Sequence, residues 1–143
     1  MKLLALCVFL CALVAGSSAQ TTKAPGIVRL QNTLGQMLAL VRDIAVENNN
    51  IVSDTENQTA IDAANQALNN LRSLYSAFGS SSTSSLPLAL RTKVNTAISN
   101  FKNAIAAWDT TLNDFPIDAF KLISSYQTVE KEFLNLAAAV IPL

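Results

Sequence analysis

Apolar side chains recur at alternating steps of three and four along four stretches of the chain, the spacing of helices with one buried face. In the first stretch Ile27, Leu30, Leu34, Met37, Val41 and Ile44 form a seam, widened by Val28, Leu38, Leu40 and Val46 and weakened by the run "ENNN" at 47–50. The second carries Ile61, Ala64, Leu68, Leu71, Tyr75 and Phe78. Its outer side is amide and hydroxyl (Asn65, Gln66, Asn69, Asn70, Ser73, Ser76), with only Asp62 and Arg72 charged. The third seam is Leu90, Val94, Ile98, Phe101, Ile105, Trp108, Leu112 and Phe115. The fourth is Ala119, Leu122, Tyr126, Val129, Phe133, Leu136 and Val140, flanked by Phe120, Ile123 and Leu134.

Local signals set the expected ends. Ser53 and Glu56 in "SDTE" have capping-box spacing, which predicts the start of the second helix. Gly79 sits where a left-handed residue would close it. "GSSSTSS", residues 79–85, reads as a flexible connector without capacity to pack, and its hydroxyls as candidate O-glycan sites. Pro87 suits a first helical turn. Pro116 ends the third helix, and Asp118 or Asp114 suits the start of the fourth. Each segment is about 22–28 residues, roughly 35–40 Å if fully helical. With short junctions near Val52 and Pro116, an all-α, antiparallel up-down-up-down four-helix bundle is predicted.

The N-terminal residues change the picture of where this bundle resides. Lys2, the uncharged apolar run from Leu3 to Ala15 and the small residues Ser17-Ser18-Ala19 predict a secretory signal peptide over 1–19. The mature chain, 20–143, is then a single helical domain, secreted to the extracellular space and without a membrane span. Both cysteines, Cys7 and Cys11, lie in the leader, so this chain would travel an oxidising route with no disulfide.

Charge and residue chemistry narrow the function classes. The chain has ten basic and ten acidic residues and no histidine. No block of like charge favours nucleic acid. Nucleophilic triads and most metal hydrolases need imidazole or thiolate, so neither an enzyme, a metal site nor a cofactor is expected. Asp109, Asp114 and Asp118 are the one local carboxylate set, and helix-end roles account for them. Asn57-Gln58-Thr59 is an N-glycosylation sequon. Asn57 also lies four before Ile61, on the extension of the apolar seam, where burial would exclude a sugar.

The aromatic residues supply the candidate binding site. Phe101, Trp108 and Phe115 lie seven apart on one stripe, Tyr126 and Phe133 repeat the interval, and Tyr75 and Phe78 can face them. With Ile105 these residues are either plain core, each ring burying about 150–250 Å², or the lining of a pocket between helices for a fatty-acid-like hydrophobe. The wide apolar arcs of the first and fourth segments imply either deep burial or an exposed patch. The polar surface is mostly neutral, which favours crowded packing on something apolar.

From "TAISNFKNAIAAWDTTLNDF" through "VEKEFLNLAAAVIP", a helix with small residues and a spaced aromatic is followed by one closing on Leu, Ala-rich apolar residues and Ile-Pro. In this third of the chain it resembles the fungal hydrophobic-surface-binding proteins and related cell-wall galactomannoproteins. In place of the Gly-containing turn usual after that family's first helix stands "ENNN". The resemblance implies a wall- or surface-associated, non-enzymatic protein that adsorbs to hydrophobic solids or holds a lipid in a helical cavity. The alternative from the residues is a secreted protein–protein interaction factor (an effector, inhibitor, seminal or salivary product) with no lipid ligand.

Overall fold

The computed structural model describes residues 23–143, so the expected leader over 1–19 lies outside the described residues. The described residues are all-helical, and four long helices pack against one another: α1 (Pro25–Ser53), α2 (Gln58–Ser73), α3 (Leu88–Leu112) and α4 (Ala119–Val140). A 3-10 helix (Leu74–Phe78) and a one-turn helix (Ser80–Thr83) lead from α2 towards α3. No helix among the described residues is long and apolar enough to cross a membrane.

The seams bury as their spacing requires. Leu30, Leu34, Met37, Val41 and Ile44 of α1 meet Leu68 and Leu71 of α2, Val94, Ile98 and Ile105 of α3, and Leu122, Val129 and Leu136 of α4 in one continuous core. Of the flanks of the arcs, Leu38 and Leu40 are half-buried and pack against this core. Val28, Val46, Phe120, Ile123 and Leu134 are exposed, so the wide arcs are in part packed and in part exposed.

"ENNN" does not break α1, which runs 29 residues, because its polar groups satisfy one another along the helix. Asn50 Nδ2 donates to Glu47 Oε2 at 3.0 Å, and Ser53 Oγ donates to the Asn49 carbonyl at 2.9 Å. That bond takes Ser53 away from the predicted capping box. The cap of α2 is Asn57, whose Oδ1 accepts from the Ala60 N–H at 3.1 Å, and Glu56 N–H is taken by Asp54 Oδ1.

Two further expectations are corrected just beyond α2. Gly79 is extended, with φ −70° and ψ 173°, and not left-handed. The helical path has already tightened into the 3-10 turn, which buries Ala77 and Phe78 and leaves Tyr75 half-buried. The serine-rich 79–85 stretch also packs. Ser82 and Thr83 are buried, and the Ser82 carbonyl lies where a Cβ on Gly26 would be 2.8 Å from it, so the start of α1 needs glycine for this approach. Arg91 Nη2 then donates to the carbonyls of Ser84 (2.7 Å) and Leu86 (3.1 Å), fastening the connector to α3.

The third seam is shorter than predicted at both ends. Leu90 is exposed, and α3 stops at Leu112, with Asn113 donating from both its backbone N–H and its Nδ2 to the Asp109 carbonyl. A residue before proline is pushed out of helical geometry, so Phe115 before Pro116 stands outside the helix and outside the core. Asp118, not Asp114, caps α4, accepting on Oδ1 from the N–H groups of Phe120 and Lys121. At the far end of α4, Gln31 Nε2 of α1 donates to the carbonyls of Val140 (3.4 Å) and Ile141 (3.0 Å), two of the groups a helix C-terminus leaves free.

Candidate hydrophobe site

Seven of the eight candidate residues come together, and the core closes over them. Phe101 of α3 packs on Phe133 of α4 with ring centroids 5.6 Å apart, and on Tyr75 edge-to-face at 6.5 Å. Trp108 meets Tyr126 edge-to-face at 6.1 Å. Phe101, Trp108 and Phe133 are wholly buried; Ile105, Phe78 and Tyr126 are buried, and Tyr75 is half-buried. Such edge-to-face and tilted contacts are how aromatic rings fill a core.

The polar tips of this layer are spent on the protein itself. Trp108 Nε1 donates to Asn48 Oδ1 at 2.9 Å, a buried bond between α3 and α1. Tyr126 Oη donates to the Val41 carbonyl at 2.8 Å, joining α4 to α1. Burial pushes the Tyr126 phenol up, and the nearby Glu130 carboxylate adds to the rise. Tyr75 differs: its hydroxyl is buried without a hydrogen-bond partner among the described residues. Burial pushes its phenol up to about 12, against a smaller lowering by Arg72, while Lys102 Nζ stands 5.0 Å from its ring centroid. The arrangement is a packed aromatic layer with its donors satisfied inward at two of three rings. A ligand would have to displace rings from each other to enter.

Asn48 was not among the sequence candidates, although its position carried a signal. It continues the run Met37, Val41, Ile44, Asn48, Ile51, and a polar residue on a buried seam needs a partner.

Phe115, the eighth candidate, is separated from the layer at 61% exposed. It belongs instead to the corner between α3 and α4. There Pro116 and Ile123 are also exposed, and Phe120 is 79% exposed in the first turn of α4. Two of the charges near it are paired or capping: Lys121 lies 3.9 Å from Asp118, itself the α4 cap. Asp109 is held by Arg72 at 2.7 Å and accepts from Asn113 Nδ2, so Asp109 and Asp118 have structural roles, while Asp114 is exposed and does not take the capping role its position offered. No group of three or more metal-binding side chains gathers among the described residues.

No protein-family model matches the chain, and neither a curated protein nor a solved structure matches it.

Proposed function

We propose that this is a secreted, non-enzymatic helical bundle that adsorbs to hydrophobic surfaces through the α3–α4 corner. The observation that carries it is the exposure of two phenylalanines, Phe115 and Phe120, within nine residues of chain that also hold exposed Pro116 and Ile123. Rings this exposed bury only a minor part of their area on folding, and moving the rest from water onto an apolar surface is favourable by about 25 cal/mol per Å² of apolar area removed. The aromatic layer acts as the rigid support behind the corner and not as the ligand contact. The signal-peptide pattern of 1–19 supports secretion, and the C-terminal likeness to fungal hydrophobic-surface-binding proteins points to the same activity.

The same reading takes the helices as an antiparallel up-down-up-down bundle. The register of contacts supports it. Gln31 meets Val140 and Ile141 while Val41 meets Tyr126; Phe101 meets Phe133 while Trp108 meets Tyr126. Arg72 meets Asp109 while Tyr75 meets Phe101. In these three pairings, α1 with α4, α3 with α4, and α2 with its following 3-10 turn against α3, the partner's number falls as the other rises.

Apolar beads added to purified protein test the proposal. The expected result is loss of protein from solution with Trp108 emission unchanged, since the indole stays bonded to Asn48. A shifted emission on adding fatty acid would instead make the aromatic layer the contact. A protein that ignores beads and fatty acid and binds one protein partner would favour the interaction-factor alternative.

A further inference from the structure

We propose that Asn57 carries an N-linked glycan, an inference that rests on the secreted part of the proposed function and not on the hydrophobe surface. The sequon Asn57-Gln58-Thr59 lies at the junction between α1 and α2. The buried face of α2 begins only at Ala60 and Ile61, so the apolar seam does not extend back to the sequon. Glu56, Gln58 and Thr59 are exposed and Asn57 itself is half-buried.

Asn57 has two functional atoms, and the fold uses one. Oδ1 accepts the Ala60 N–H at 3.1 Å and so caps α2. Nδ2 makes no hydrogen bond to any described residue. Glycan transfer needs that nitrogen alone. It displaces the pyrophosphate from the anomeric carbon of a lipid-pyrophosphate-linked oligosaccharide. An N–C bond forms, the sugar C–O bond breaks, the amide gives up one proton, and the pyrophosphate leaves on its lipid. The product is still an amide whose carbonyl oxygen can accept the same N–H. The helix therefore keeps its cap with the sugar in place, and the sugar projects from a turn whose neighbours are in water.

The division between the two atoms makes three variants informative. Thr59→Ala removes the hydroxyl that the sequon requires and leaves the cap. Asn57→Asp keeps an accepting oxygen at the cap and loses the nitrogen. Asn57→Ala loses both. The full chain with its own leader is expressed in a eukaryotic secretory host, and the intact mass is measured before and after N-glycosidase treatment. The expected result is secreted wild type with one glycan mass that the enzyme removes. All three variants should lack that mass, and only Asn57→Ala should unfold at lower urea than enzyme-treated wild type. Secreted wild type of unmodified mass would overturn the glycan while leaving secretion standing. Unmodified protein retained in the cell would overturn both. A glycan that persists in Thr59→Ala would place the modification elsewhere and overturn the assignment to Asn57.

Discussion

Asn48 and Asn49 are neighbours of the same type with opposite surroundings. Asn48 is buried and is the partner of Trp108 Nε1, whereas Asn49 is exposed and offers only its backbone carbonyl to Ser53. Removing one partner of a buried bond leaves the other unsatisfied, which costs about 1–3 kcal/mol. Asn48→Ala should therefore lower the unfolding free energy from urea titration by that order, while Asn49→Ala should stay within about 0.5 kcal/mol of wild type. The two tyrosines make a second contrast. Tyr126→Phe loses the bond to Val41 and should cost about 0.5–1.5 kcal/mol, whereas Tyr75→Phe removes a hydroxyl with no partner and should be neutral or stabilising. Both phenols are raised by burial above the ordinary value of 10.0, Tyr75 to about 12. The unfolded chain therefore gives up these protons first. Stability is full below about pH 10 and falls as pH rises from there through the folded-state values. Urea unfolding across that range should show the decline, with a shallower slope in Tyr126→Phe.

Helix α1 carries two glycines with different reasons to be there. A Cβ at Gly35 would meet nothing within 4 Å, so Gly35→Ala should stabilise by about 0.5–1 kcal/mol through helix propensity alone. At Gly26 the Cβ would press on the Ser82 carbonyl at 2.8 Å, backbone that cannot swing aside, so Gly26→Ala should cost about 1–3 kcal/mol by overpacking. Thermal unfolding of the two variants reads both signs. The same contrast explains what was legible in the sequence. The four buried faces follow from spacing, because a packed helix must repeat every three to four residues, and the fourth seam is buried from Leu122 to Val140 as its pattern predicts. The ends were less legible, since several polar residues compete for each one. Ser53 had the spacing of a cap, but inside the last turn of α1 its hydroxyl reached the Asn49 carbonyl, leaving the cap to Asn57. The serine run looked unable to pack because composition says nothing about a glycine at the start of α1 that makes room for it.

For the molecule as a whole, the aromatic inventory was visible in the sequence and its disposition was not. Heptad spacing put Phe115 on a stripe with Phe101 and Trp108, yet the helix stops at Leu112 and leaves that ring, held before Pro116, at the surface. Whether rings enclose a space or fill it depends on how helices approach one another, which spacing along one helix does not encode. The outcome is a bundle closed over Trp108, with the two exposed phenylalanines of the described residues together at one corner. If that corner is the working surface, replacing its two rings should abolish adsorption without touching the core. The decisive measurement compares wild type with the double variant Phe115→Ser/Phe120→Ser for depletion from solution by apolar beads, with urea midpoints taken alongside. Wild type should be depleted and the variant should stay in solution at an unchanged midpoint. Equal depletion of the two, or a wild type that remains in solution, would contradict the account.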